Sequence, residues 1–373
     1  MQRTLTRFFP LITWAAIASC APDGTDSPVA PTASAPIAVS ENRGLGDDNE
    51  FDQDDGDDRG GPFTFAVIGD TPYGPIKLAE FPALTAKINA DSKVRLVTHL
   101  GDIKAGSNAA CTDEYFTMIR GLFDQFADPL AYTPGDNEWT DCHVAGKNNG
   151  LFTPTERLQK VRSLFFPAPG RTLGRRKMRV LSEASDPTNA AYVENTAWEK
   201  RGVVFAMLNI QGSNNDAAPW GTPLPTDAAN YPSQTEEQIT RARANKAWIE
   251  KAFATAKSTH APGIILLFQA DMWDATQPTL TGFDALVQQI GAAARDFRKP
   301  VLLLEGDSHM FRVDNPFSVA SPLHALHPST PVADNVTRVV VEGSDAGRTE
   351  YLRLTIDPRK KGTLFSWERI PLN

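Results

Sequence analysis

Apolar residues cluster in short runs of strand length at Phe63–Ile68, Val94–His99, Val203–Ile210, Gly263–Phe268 and Val301–Leu304. Between several of these runs the apolar positions recur at helical spacing instead. Thr112–Phe126 places Tyr115, Met118, Ile119, Leu122, Phe123 and Phe126 on one face. The order Thr235-Glu236-Glu237-Gln238 has capping-box form, and the pattern after it runs through Ile239, Trp248 and Phe253. Phe283–Phe297 predicts a third helix. Buried strands alternating with helices predict an α/β fold with much parallel pairing. After Arg338 the pattern changes: Arg338–Glu342, Tyr351–Ile356 and Thr363–Ile370 read as short strands of an antiparallel closing portion. Phe166–Glu199 is irregular and basic (Arg171, Arg175, Arg176, Lys177, Arg179) and reads as an insertion or long loop. There is no periodic internal repeat.

Upstream of Phe63 the pattern is absent. Residues 20–61 are rich in Pro, Ala, Ser and Asp and read as a flexible, acidic tether to a folded domain spanning 62–373. Within it, Asp52-Gln53-Asp54-Asp55-Gly56 imitates the start of a calcium loop. The glycine falls one place early and no Glu closes the loop, so a solvated acidic run, Asp47 to Asp58, is the better reading. The first 19 residues combine Arg3 and Arg7 with an apolar stretch, Phe8–Ala18, too short to span a bilayer. That is the layout of a secretory signal peptide. Ile17-Ala18-Ser19-Cys20 resembles a bacterial lipobox, which implies cleavage before Cys20 and a lipid on that cysteine. Ala21 stands where an inner-membrane retention signal would have Asp. The expectation is an exported lipoprotein anchored in the bacterial cell envelope, at the outer membrane or the periplasmic face.

Composition narrows the picture. With 373 residues, 41% of them hydrophobic, the chain can bury one large core or two ordinary domains. A formal charge of -8 argues against a nucleic-acid-binding surface. A small phosphorylated substrate remains compatible, because a bound metal supplies positive charge locally. Once Cys20 is assigned, Cys111 and Cys142 remain, and an even pair in an exported chain predicts a disulfide.

The chemistry lies where the strands end. Phe65–Ile68 runs into Gly69-Asp70, and Leu96–Leu100 into Gly101-Asp102. Ala131–Pro134 runs into Gly135-Asp136-Asn137-Glu138, and Leu302–Glu305 into Gly306-Asp307-Ser308-His309. Parallel α/β sheets gather their ligands at the carboxyl ends of strands, so these carboxylates can meet. Glycine permits the sharp turn there. Converging carboxylates repel unless protonated or neutralised, and hard divalent cations take such oxygen ligands. One Gly-Asp is an ordinary turn; four after apolar segments predict a metal pocket.

The order and spacing of these motifs resemble the calcineurin-type metallophosphoesterase superfamily over roughly residues 63–312. The resemblance implies a two-sheet α/β/β/α sandwich, with Asp70 as the first-motif Asp and Asp102 as the bridging Asp. It places the third motif on Gly135-Asp136-Asn137-Glu138, the lone family His at Gln269-Ala270-Asp271, and the last motif on Gly306-Asp307-Ser308-His309. Several family residues are exchanged: Pro72 replaces the first His, Asp136 the metal-binding Asn, Asn137 the catalytic His, Gln269 the lone His, and Asp307 one of the final pair. Oxygen in place of nitrogen shifts the expected cofactor from Zn or Fe towards Mn, Mg or Ca, as one or two ions. One position would hold Asp70, Asp102 and His309. The other would hold Asp102, Asp136, Asp307 and either Gln269 or Asp271. Lys104 could substitute for the metal at the first position.

The family reaction is attack of metal-activated water on a phosphoester. Asn137 cannot transfer a proton as the family His does, which leaves Glu138, His143 or His309 as groups that could, a good leaving group, or lost catalysis. A Cys111–Cys142 bridge would tie the loops carrying Asp102 and Asp136 together. Gln211–Asn215 could reach the pocket edge or form a simple turn, and Arg171, Arg175 and Arg176 could receive phosphate or be solvated. His99 reads as a core residue, and His324 and His327 point to nothing specific. The expected function is a divergent metal-dependent phosphoesterase acting on a small phosphorylated substrate; the alternative is a catalytically inactive metal- or ligand-binding lipoprotein on the same scaffold.

Overall fold

The structure is a computed structural model and describes residues 61–106, 111–144, 152–221, 227–360 and 362–373. The expected signal peptide, Cys20 and the tether lie outside these residues, apart from Gly61. Among the described residues no helix is long and apolar enough to cross a membrane.

Two mixed sheets face each other. The first has strand order β12-β11-β1-β2-β3, made of β1 (Phe63–Ile68), β2 (Val94–His99), β3 (Leu130–Tyr132), β11 (Glu350–Ile356) and β12 (Phe365–Pro371). The second has order β4-β5-β6-β7-β8-β10-β9, made of β4 (Leu181–Ser182), β5 (Thr196–Lys200), β6 (Val203–Met207), β7 (Ile264–Leu267), β8 (Val301–Glu305), β9 (Arg312–Asp314) and β10 (Val336–Val340). β1, β2 and β3 are parallel, as are β6, β7, β8 and β10.

Strand alternation builds the layers. Phe65 and Val67 of β1 pack with Phe205, Leu267 and Leu304 in a core between the sheets. Ala66 and Ile68 turn the other way, onto α1 (Gly74–Ala90) and α2 (Asp113–Phe123) through Phe81, Leu84, Phe116 and Ile119. On the far side, Val301 and Leu303 meet α5 (Gln234–Ser258) and α6 (Asp284–Phe297) through Trp248, Phe253 and Ile290. α3 (Pro154–Phe165) joins the α1–α2 layer. The result is the expected α/β/β/α sandwich.

Some local expectations shift. β10 is parallel to β8 instead of joining the antiparallel closure, which β11 and β12 form alone with β1. The cap of α5 is Ser233, whose hydroxyl accepts from Glu236 N at 3.3 Å, ahead of the Thr235 box. On α2 the buried stripe is Phe116, Ile119 and Phe123, and Met118 is 42% exposed. The basic segment expected as an irregular loop contains a hairpin in which Arg171 bridges Arg179 and Leu173 bridges Leu130 at the start of β3.

Candidate metal centre

All four Gly-Asp turns leave the carboxyl ends of parallel strands, two sheets contributing to one edge. Asp70, Asp102 and Asp307 adopt left-handed backbone (φ 50°, 55° and 67°), as does His309 (60°). Each such non-glycine residue costs about 1 kcal/mol or more, and strain of this kind collects at functional sites. At Gly135 a Cβ would collide with the Asp102 carboxylate and, at 2.7 Å, with its backbone nitrogen. Gly306 lies equally tight against the carboxylate of Asp70. These glycines are what lets the loops close on one another.

Two ligand groups result. Asp70, Asp102 and His309 form one, and Asp102, Asp136 and Asp307 the other; within each, one donor atom per residue lies within 4.8 Å of the others. Metal–oxygen bonds of about 2.0–2.6 Å allow such spacing around a single ion. Asp102 belongs to both groups. The site opens into a cavity of about 360 Å³ lined by Tyr73, Asp102, Asp136, Asn137, Asp307 and His309. Backbone donors fix the carboxylates: Asp307 N donates to Asp70 Oδ1 at 2.9 Å, Asn137 N to Asp102 Oδ1 at 3.2 Å and Asp271 N to Asp307 Oδ2 at 3.1 Å.

The electrostatics call for a cation. Burial pushes the Asp70, Asp102 and Asp307 carboxyls well above their usual range, and neighbouring carboxylates push the same way. Asp136 is raised to about 7, first by burial and then by the charge of Asp141. Burial lowers the pKa of His309, favouring the neutral ring that a metal requires. Asp70 Oδ2 is buried without a hydrogen-bond partner among the described residues. An oxygen-rich donor set with an orphaned buried carboxylate oxygen fits a hard divalent cation.

The remaining candidates sort themselves by their partners. Gln269 turns its carbonyl oxygen to Gly212 N (2.6 Å) and its amide nitrogen to Asp136 Oδ1 (3.3 Å), so it orients Asp136 instead of offering oxygen. The Asp271 carboxylate is ion-paired with Arg338 and lies 3.4 Å from Arg312, which takes it out of the ligand set. Lys104 donates to the carbonyls of Ala105 and Asn137, both at 2.9 Å, and Glu138 leads its attractive neighbours; it supports the third loop. Glu138 does not line the cavity. Its Oε1 accepts from Tyr132 Oη and Gly135 N, both at 2.7 Å, and from Asp102 N at 3.1 Å, which locks the second and third loops together.

Asn137 donates through Nδ2 to Asp102 Oδ2 at 2.7 Å. His143 is held by the Thr140 carbonyl at 2.6 Å and lies near Trp220. The Cys111–Cys142 disulfide is present, with Cα atoms 5.9 Å apart and both sulfurs within 3.7 Å of the Asn137 carbonyl. His99 is a core residue that also ties two loops, through Thr71 O (2.9 Å) and Gly101 N (3.2 Å); burial lowers it to about 4, so the ring is neutral. His327 is buried between Met272 O (2.8 Å) and Asp284 (2.7 Å), while His324 lies on the short turn Pro322–Leu326. Arg171, Arg175 and Arg176 sit on the hairpin beside the start of β3, at the edge opposite the cavity.

Two residues were missed, Tyr73 and Asp345, and the Gln211–Asn215 segment does reach the pocket edge, through Ser213. Tyr73, three places after Asp70, donates its hydroxyl to Asp102 Oδ2 at 2.9 Å and stands edge-on to His309. The Ser213 hydroxyl, carried by the left-handed turn α4 (Gly212–Asp216), lies 3.0 Å from Asp136 Oδ2 and 2.7 Å from Asp141 Oδ1. Asp345 approaches His309 Nδ1 at 3.3 Å. Of the two missed residues, Tyr73 had a local signal, its place in a post-strand loop already under suspicion.

No family model matches the chain, and no curated protein matches it. Among solved structures it is similar to GAP50, described as the anchor in the inner membrane complex of Plasmodium, at 11% identity and a TM-score of 0.41, over 84% of this chain and 89% of that one. A likeness at that level bears on neither the site nor its chemistry.

Proposed function

We propose that the domain is a divergent metal-dependent phosphoester hydrolase of the metallophosphoesterase type, acting on a small phosphorylated substrate. The observation that carries the reading is the sharing of Asp102 between two carboxylate-rich groups at the floor of one open cavity. Asp70, Asp102 and His309 would hold one divalent ion, and Asp102, Asp136 and Asp307 a second. Mn, Mg or Ca suits these donors better than Zn or Fe. Such an ion, when bound, lowers the pKa of a coordinated water and draws charge from phosphoryl oxygens.

The chain's own residues do the positioning. Tyr73 and Asn137 both donate to Asp102 Oδ2, fixing its plane, while Gln269 and Ser213 hold the two oxygens of Asp136. Of the proton-bearing groups considered for the leaving group, Glu138 is sealed beneath the loops and His143 does not line the cavity, which leaves His309; the Tyr73 hydroxyl, not considered from the sequence, faces the cavity as well. A second reading, a catalytically silent metal-binding domain, is favoured by one observation: the Asn137 amide occupies the rim position and cannot supply a proton. Hydrolysis of a generic phosphodiester and phosphomonoester with Mn²⁺, Mg²⁺ and Ca²⁺ in turn separates the two. Turnover absent above an Asp102→Ala control would end the enzyme reading. Placement in the cell envelope through a lipid on Cys20 is part of the same proposal; fatty-acid labelling that is lost in Cys20→Ala supports it, and an unlabelled wild type removes it.

A further inference from the structure

The edge opposite the metal centre carries a charge pattern of its own. Because the parallel strands of both sheets run towards the cavity, their starts at Phe63, Val94, Leu130, Val203, Ile264, Val301 and Val336 share the far edge. Basic residues gather around several of these starts. Lys93 and Arg95 flank the start of β2, Arg175, Lys177 and Arg179 crown the hairpin at β3, and Arg298 precedes β8; all six are exposed. The hairpin is fixed in place, with Arg175 N donating to Phe126 O and Leu173 N to Leu130 O, both at 2.8 Å. Three acidic residues beside the first sheet's strand starts are engaged, Asp91 by Arg353 at 2.8 Å, Asp124 by Arg120 at 3.0 Å, and Asp128 by Arg176, while Asp334 before β10 is exposed.

The compensating charge lies in the same chain. Residues 1–60 hold 11 acidic and 4 basic side chains, leaving 34 acidic and 33 basic in the rest. Eight of those acidic residues fall between Asp47 and Asp58. Phe63, five residues after Asp58, begins β1 at the basic edge, where Lys200 Nζ lies 5.8 Å from its ring centre. At no more than about 3.5 Å per residue, five residues of chain span at most roughly 17 Å and twelve at most about 40 Å. Covalent linkage over so short a span gives an effective concentration in the millimolar range, enough for weak, screened charge pairs to act together.

We propose that the basic edge is the docking surface for the chain's own acidic run, Asp47 to Asp58. The docked run covers the edge of the domain opposite the cavity. This inference is independent of the phosphoesterase reading.

The test is zero-length carbodiimide coupling on the full chain at low salt, read by peptide mass spectrometry. Couplings from Asp47–Asp58 should concentrate on Lys93 and Lys177, fall to background in about 0.5 M salt, where the screening length is a few ångströms, and disappear in the Arg175→Glu/Arg179→Glu variant, which retains both lysines. A circular-dichroism melt confirms that this variant is folded; if it is not, Arg95→Glu/Arg298→Glu serves the same purpose. Couplings spread evenly over Lys246 and Lys77, or unchanged by charge reversal, would overturn the proposal. So would wild-type chain that sediments with vesicles of anionic lipid, because the edge would then be open to an external polyanion.

Discussion

Replacing Glu138 separates a structural from a catalytic carboxylate. Its Oε1 accepts three hydrogen bonds, from the Tyr132 hydroxyl, Gly135 N and Asp102 N, all buried. Glu138→Ala strands these donors, each at about 1–3 kcal/mol. The terms are not additive because loosened loops admit water, so about 3–5 kcal/mol is expected, as for other broken buried networks. At 2–3 °C per kcal/mol for a domain of this size, the midpoint of thermal unfolding should fall by on the order of 10 °C. Glu138→Gln retains an acceptor of the same shape and forfeits mainly the attraction of Lys104, so it should cost about 1 kcal/mol. The assay is thermal unfolding in chelator, paired with Mn²⁺ titration by calorimetry. The alanine variant should lose affinity as well as stability, since the donor from Asp102 sets the floor of the site, while the glutamine variant should keep most of both. Equal destabilisation by the two, or intact stability with turnover abolished in Glu138→Gln alone, would refute the structural role.

Three further outcomes follow from the same geometry. Removing the disulfide by Cys111→Ser with Cys142→Ser opens a loop with a sequence separation of 31 residues, and denaturant unfolding should show a loss of about 3–4 kcal/mol. Tyr73→Phe deletes one of two side-chain donors to Asp102 Oδ2; calorimetry should report weaker Mn²⁺ binding by roughly tenfold, the lower range for residues that orient a ligand. Glu183 is raised to about 8 by burial, so the folded state keeps a proton that the unfolded state releases near 4.5, and its contribution to stability falls between those pH values. Glu183→Gln should therefore gain on the wild type in melting temperature from pH 5 to pH 8, whereas a constant difference would contradict the assignment.

Much of the site was legible because a parallel strand followed by Gly-Asp fixes both where a carboxylate sits and which way it faces. Asp70, Asp102, Asp136 and Asp307 meet for that reason. What escaped was decided by partners distant in sequence. Gln269 and Asp271 sit two residues apart in one loop, and only the approach of Arg338 from β10 shows that Asp271 is committed elsewhere. Glu138 looks like a pocket carboxylate until its three donors are counted. Gln211–Asn215 reads from the sequence as either a pocket-edge segment or a simple turn, and it is both: Ser213 reaches Asp136 from a left-handed turn. The direction of β10 was misjudged because apolar alternation identifies a strand without saying which neighbour it takes. The helix α1 was passed over because Pro72, Pro75 and Pro82 obscure the spacing of Phe81, Leu84 and Ile88.

The central claim is that Asp102 is shared by two ligand groups. The most direct measurement is metal content and Mn²⁺ stoichiometry of the purified full chain beside Asp102→Ala, each shown to be folded by its circular-dichroism melt. One or two ions per wild-type chain, with none retained by the alanine variant, is the predicted result. A wild type that takes up no divalent ion, or an Asp102→Ala chain that binds as the wild type does, would contradict it.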